Sequence, residues 1–194
     1  MNGRQLMMAL AGLLAWPWGT ADMARAGTVD VDSWSNGAWH VRFFANPDFP
    51  GFGGCEVWTG SDGAGVFGIT VGEDGADASL SYVPVAPRGY PSPLIDGDAV
   101  SFIVDGQVIP VSQQLEISEM ENEFGEWEVS ADAGNSGVAG TVRSLRAGDV
   151  MTVGVTRQGQ MTIYETYALN GFTATWLKAA EWCGFDPGKR FRSS

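Results

Sequence analysis

Four two-residue turn signals, Asp62-Gly63, Asp74-Gly75, Asp105-Gly106 and Gln158-Gly159, each stand between short runs of β-branched and aromatic residues. Nothing else in the chain constrains its fold as much. Glycine enters positive φ at little cost, and an X-Gly pair between apolar runs is the mark of a tight β-hairpin. With 27 glycines in 194 residues, the chain carries about twice the usual share, so it turns often.

The runs themselves read as strands. Residues 38–44 alternate, with Trp39, Val41 and Phe43 on one face, and end at Asn46-Pro47-Asp48-Phe49-Pro50-Gly51, where proline stops a ladder. Further strands are predicted at 55–59, 66–71, 78–85, 100–104, 108–111, around Trp127 and Val129, and at 150–155 and 161–167, with a loop containing Pro84, Pro87, Pro91 and Pro93 between the strands at 78–85 and 100–104. Two helices are predicted. Val138, Val142 and Leu145 recur at helical spacing before Gly148, and Phe172, Trp176, Ala180 and Cys183 form one stripe of a helix from about 172 to 182. Many hairpins and few helices predict a mainly β fold: an antiparallel β-sandwich or flattened barrel with one short helix and a C-terminal helix. Residues 97–107 and 148–160 echo each other, Gly-Asp at the start and Gly-Gln at the end, which suggests a half-repeat of the sandwich.

Residues 1–26 read as a secretory signal peptide. Arg4 precedes an apolar run over 6–16, and Ala24-Arg25-Ala26 supplies the small-x-small pattern for a cut after Ala26; a cut after Ala21 would use Gly19 and Ala21. The run is shorter than the roughly 20 residues a membrane span needs. The expected product is a single domain, 27–194, periplasmic or secreted, with no stable membrane insertion after cleavage. An exported chain whose only cysteines are Cys55 and Cys183 is expected to join them in a disulfide; the rival state is two buried free thiols. The net charge is −12, from 11 basic and 23 acidic residues. That excludes the basic footprint that nucleic acid requires and disfavours an anionic leaflet.

Catalytic and cofactor signals are weak, and no catalytic, cofactor-binding or metal residue is assigned. His40 is the single histidine and is expected to face away from Trp39, Val41 and Phe43 on a strand; no serine sits in a G-x-S-x-G elbow. Residues 63–68 spell G-x-G-x-x-G but lead into a strand, whereas a dinucleotide site leads into a helix. Asp30-Val31-Asp32 begins like a calcium loop, yet Trp34 and Ser35 take the places of a ligand and the turn glycine. Glu116, Glu119, Glu121, Glu123, Glu126 and Glu128 read as a solvated face, with loose cation binding or a basic partner as other uses. Trp34 and Tyr90 lie outside the strand and helix patterns and are the candidate partner-binding aromatics.

Trp39-His40-Val41, Gly54-Cys55, Leu145 to Val150 and above all Leu169-Asn170-Gly171-Phe172-Thr173-Ala174 before a helix ending in Cys183 resemble the invasion-associated locus B family of exported bacterial proteins, over about residues 36–185. A similar layout occurs in accessory lipoprotein-like proteins of type VI secretion. The first resemblance implies an envelope β-sandwich linked to host-cell colonisation, with Gly171 letting the chain turn and Phe172 capping the core. The expected function is non-enzymatic binding of another envelope or host protein. The alternatives are a carboxylate-based hydrolase of envelope glycan and a periplasmic small-ligand carrier.

Overall fold

The computed structural model describes residues 29–45, 47, 53–60, 63–86, 92–121 and 127–191. The expected signal peptide, its cut after Ala26, and Tyr90 lie outside them. Eleven strands and two helices follow in order: β1 (Val29–Asn36), β2 (Trp39–Ala45), β3 (Gly53–Thr59), β4 (Val66–Gly72), β5 (Ala78–Val83), β6 (Ala99–Val104), β7 (Gln107–Val108), β8 (Glu116–Glu121), β9 (Trp127–Ala133), α1 (Asn135–Ala147), β10 (Val150–Arg157), β11 (Gln160–Ala168) and α2 (Phe172–Trp182). They build a seven-stranded antiparallel sheet, β1-β2-β3-β4-β5-β9-β8, and a four-stranded one, β11-β10-β6-β7. The mainly β sandwich with a mid-chain and a C-terminal helix is as the hairpin pattern predicts.

Period-two alternation sends one face of each sheet inward. Val41, Val57, Phe67, Ile69, Leu80 and Tyr82 of the large sheet meet Val100, Phe102, Met151 and Val153 of the small one in one buried cluster. Phe67 meets Phe102 edge-on at 5.1 Å, and Tyr82 approaches the same ring. The small sheet leaves part of the large sheet's inner face bare, and the helices cover it. α2 packs on β1, β2 and β3, and α1 on β5 and β9.

The join between sheet and α2 depends on Gly171. Its φ of +102° is left-handed, and a Cβ there would strike the Asn36 carbonyl oxygen in the β1–β2 turn. Phe172 follows, fully buried, its ring 4.7 Å from that of Trp39. Trp39 Nε1 in turn donates to the Ala168 carbonyl at 2.9 Å. At the far end of α2, Cys183 is joined to Cys55 of β3. The expected bridge therefore ties the terminal helix to an early strand.

The small sheet is two hairpins side by side. Both turns place two residues at positive φ, Asp105 and Gly106 in one, Gln158 and Gly159 in the other, as a two-residue I′ turn requires. The hairpins meet through the antiparallel β6–β10 pair. The sequence echo is thus a repeat within one sheet, not one between the two halves of the sandwich. Both ends of that seam are clamped. The Asp105 carboxylate accepts from the amides of Asp149 and Val150, each at 3.0 Å. Arg157 donates to Asp98 at 2.7 and 2.6 Å, and these hydrogen bonds hold the Asp98 carboxyl below the usual carboxylate range.

Several expectations need correction. β1 and β8 are not among the predicted strands: β1 alternates Val and Asp over 29–32 but is exposed throughout, and half of β8 is glutamate. Strand 78–85 ends at Val83, before Pro84, which cannot extend the ladder. Strand 108–111 shrinks to Gln107–Val108, because Pro110 opens a short 3-10 turn over Pro110–Gln113.

Candidate functional site

Trp34 is not on a loop. It lies on β1 opposite Val41, on the core-facing side of the large sheet but at its open edge, 37% exposed. Cys55 and Cys183 are buried and covalently spent. The residues 63–68 run through a turn into β4, so the glycine pattern has no helix to follow it. Glu116 and Glu119 are exposed on β8, an outermost strand, where charge blocks pairing with other chains.

The outer face of the large sheet is polar and largely matched within itself. His40 faces outward as expected; its Nδ1 lies 2.8 Å from Ser35 Oγ, and its ring stacks on Trp58 at 5.2 Å. Among the described residues no carboxylate orients that imidazole, a part a serine–histidine hydrolase needs. Next to it Arg42 donates to Glu56 at 2.7 Å and to Asp30 at 3.3 Å while lying over the Trp58 ring. Further along, the Asp132 carboxylate accepts from Ser130 at 2.6 Å and from Ser118. Asp132 and Glu116 are cross-strand neighbours in a shallow groove with Ser79 and Gln114. That groove holds two carboxylates, but its lining contains no aromatic side chain.

Between the sheets, the phenols of Tyr82 and Tyr167 meet near Gly65. Tyr167 donates to the Gly65 carbonyl at 2.7 Å, and Gly65 N donates to Glu165 at 2.8 Å. Tyr82 Oη is buried without a partner among the described residues. Burial pushes both phenols well above their ordinary value, with Glu165 adding to it, so both stay protonated. This cluster is packed interior, with no groove leading to it among the described cavities.

The outer face of the small sheet is of another kind. Inward residues Val100, Phe102, Val104, Met151, Val153 and Val155 are buried, so their neighbours point out. On all four strands those neighbours include apolar ones: Ile103 on β6, Val108 beside it on β7, Val150 at the start of β10, and Met161 and Ile163 on β11. Val108, Met161 and Ile163 are 55%, 48% and 52% exposed. Gly154 lies between them on β10; a Cβ there would fall 3.0 Å from Met161 Sδ and 3.6 Å from Ile103 Cδ1. The bare glycine makes a notch in an apolar strip that crosses the sheet.

The sequence reading missed this strip. The available signal was apolar residues on both faces of the 161–167 and 100–104 runs, which a half-buried strand does not need. No protein-family model matches the chain, and no curated protein matches it.

Proposed function

We propose that this is an exported envelope protein whose β-sandwich serves as a non-enzymatic protein-binding module, engaging its partner with the outer face of the four-stranded sheet. The observation that carries this reading is the strip Ile103, Val108, Met161 and Ile163 around Gly154. Solvated sheet faces alternate apolar-in with polar-out, and contiguous exposed apolar surface marks contact sites. The disulfide suits an oxidising compartment, and the signal-like residues 1–26 agree with it. The resemblance to the invasion-associated locus B family adds a host-facing role, with another envelope or host protein as the partner.

The reading is supported against its rivals by what each would need. A small-ligand carrier needs space between the sheets, which Phe67, Phe102 and Tyr82 fill. A glycan hydrolase needs paired carboxylates beside a sugar platform. Glu116 and Asp132 are such a pair, but the aromatic side chain of Trp58 is engaged with His40 and Arg42 two strands beyond β5. The test is a photo-reactive amino acid at Ile163 in the native envelope. Capture of one defined protein species is expected there and not from Thr70 on the other sheet. Equal capture at both positions, or none at either, contradicts the reading.

A further inference from the structure

The described basic side chains divide into two groups. Arg42, Arg157 and Lys178 are each ion-paired with a carboxylate. Arg143, Arg146, Lys189 and Arg190 are not, among the described residues, although the chain carries 23 acids against 11 bases. All four of these line adjoining grooves between α1 and the C-terminal segment after α2. The larger groove has a volume of about 700 Å³, with Arg143 on one wall and Arg190 on the other. The smaller, about 240 Å³, continues from it past Ala139, Arg143 and Phe191 to Arg146 and Lys189. Lys189 donates to the carbonyls of Asp74 and Gly75, which fixes the segment in place but leaves its charge uncancelled.

We infer that this cationic groove receives an acidic peptide segment of a partner protein. Guanidinium groups bind carboxylates through two parallel N–H donors, and Arg143 and Arg146 stand one helical turn apart on the same side of α1. The walls are as informative as the charges. Ser136, Ala139 and Gly140 give α1 a low surface where a main chain can approach, and Pro110, Val111 and Phe191 make an apolar floor. A free phosphate would leave that floor wet. An anionic membrane would meet the repulsion of a protein of net charge −12 before reaching a recessed groove. An extended segment mixing carboxylates with apolar side chains uses both parts of the lining.

This surface is separate from the apolar strip, and the two stand or fall independently. The experiment is selection of a random displayed-peptide library on the purified protein. Enrichment of sequences combining Asp or Glu with apolar residues is expected. Binding of the enriched peptides should weaken about tenfold or more in the exposed double variant Arg143→Glu/Arg146→Glu, and as salt is raised. Arg190→Glu, on the opposite wall, should reproduce that loss and carries the test if the double variant does not fold. Met161→Ser/Ile163→Ser should bind the peptides unchanged. No enrichment, enriched peptides without carboxylates, binding indifferent to the groove variants, or full displacement by inorganic phosphate or by anionic phospholipid vesicles would each overturn the inference.

Discussion

The two sheets of this sandwich share one core and present opposite kinds of surface to solvent. On the large sheet the outward side chains satisfy one another: Arg42 with Glu56 and Asp30, His40 with Ser35 and Trp58, Asp132 with two serines. On the small sheet the outward side chains of Ile103, Val108, Met161 and Ile163 have no such complement. A face whose polar groups are already paired gains little from a partner. A face with apolar area in water gains about 25 cal/mol for each Å² it covers. That difference is the ground on which we propose the smaller sheet as the binding face, and it can be broken in stages.

The largest effects concern what both faces rest on. Replacing Cys55 and Cys183 by alanine opens a closure spanning 128 positions; the entropic upper bound is about 5 kcal/mol, read as a lower denaturation midpoint in the variant, and in the reduced wild type. Phe172→Ala empties a fully buried site against Trp39 and Trp176 and is expected to cost about 3–5 kcal/mol. If either change altered partner binding without lowering stability, the shared-core account would be wrong.

An intermediate effect sharpens the comparison at the seam of the small sheet. The Asp98 side chain is enclosed while Arg157 stays 45% exposed, so Asp98→Asn should cost about 1 kcal/mol. The sign of its pH dependence follows from the lowered carboxyl. The stabilisation is present above the unfolded carboxylate range, near pH 4, and is lost as pH falls through the lower folded value. Comparing wild type and Asp98→Asn by thermal melting, the gap should close in acid; a gap that widens there refutes the clamp.

The smallest effects on stability separate the faces themselves. Arg42→Ala should cost about 1 kcal/mol or less and leave partner capture intact. Met161→Ser with Ile163→Ser should change stability by no more than about 0.5 kcal/mol per site, yet abolish capture.

What could be read from the sequence divides along the same physical line. Strands β2 to β6 and β10 and both helices were legible because each buries one periodic stripe, whereas β11, largely exposed, was legible from the Gln158-Gly159 turn that opens it. Phe172 was legible from the helical stripe it shares with Trp176, Ala180 and Cys183, while the turn at Gly171 was expected only from the family resemblance. The edge strands β1 and β8 were not legible. An edge exposed along its length, or built of glutamates, owes its conformation to the neighbour it pairs with. Trp34 fell outside the strand and helix patterns for that reason. The apolar strip and the cationic groove were hidden for another. Each gathers residues distant in sequence, Ile103 with Ile163 and Arg143 with Arg190, and only the β6–β10 seam and the return of the chain past α2 bring them together.

The most direct measurement is photo-crosslinking from Ile163 in the native envelope, with Thr70 on the opposite face as the control and Met161→Ser as the companion variant. The account predicts one defined protein adduct from Ile163, lost when Met161 is replaced, and none from Thr70. Adducts of equal yield from Thr70, or an Ile163 adduct indifferent to Met161, would contradict it.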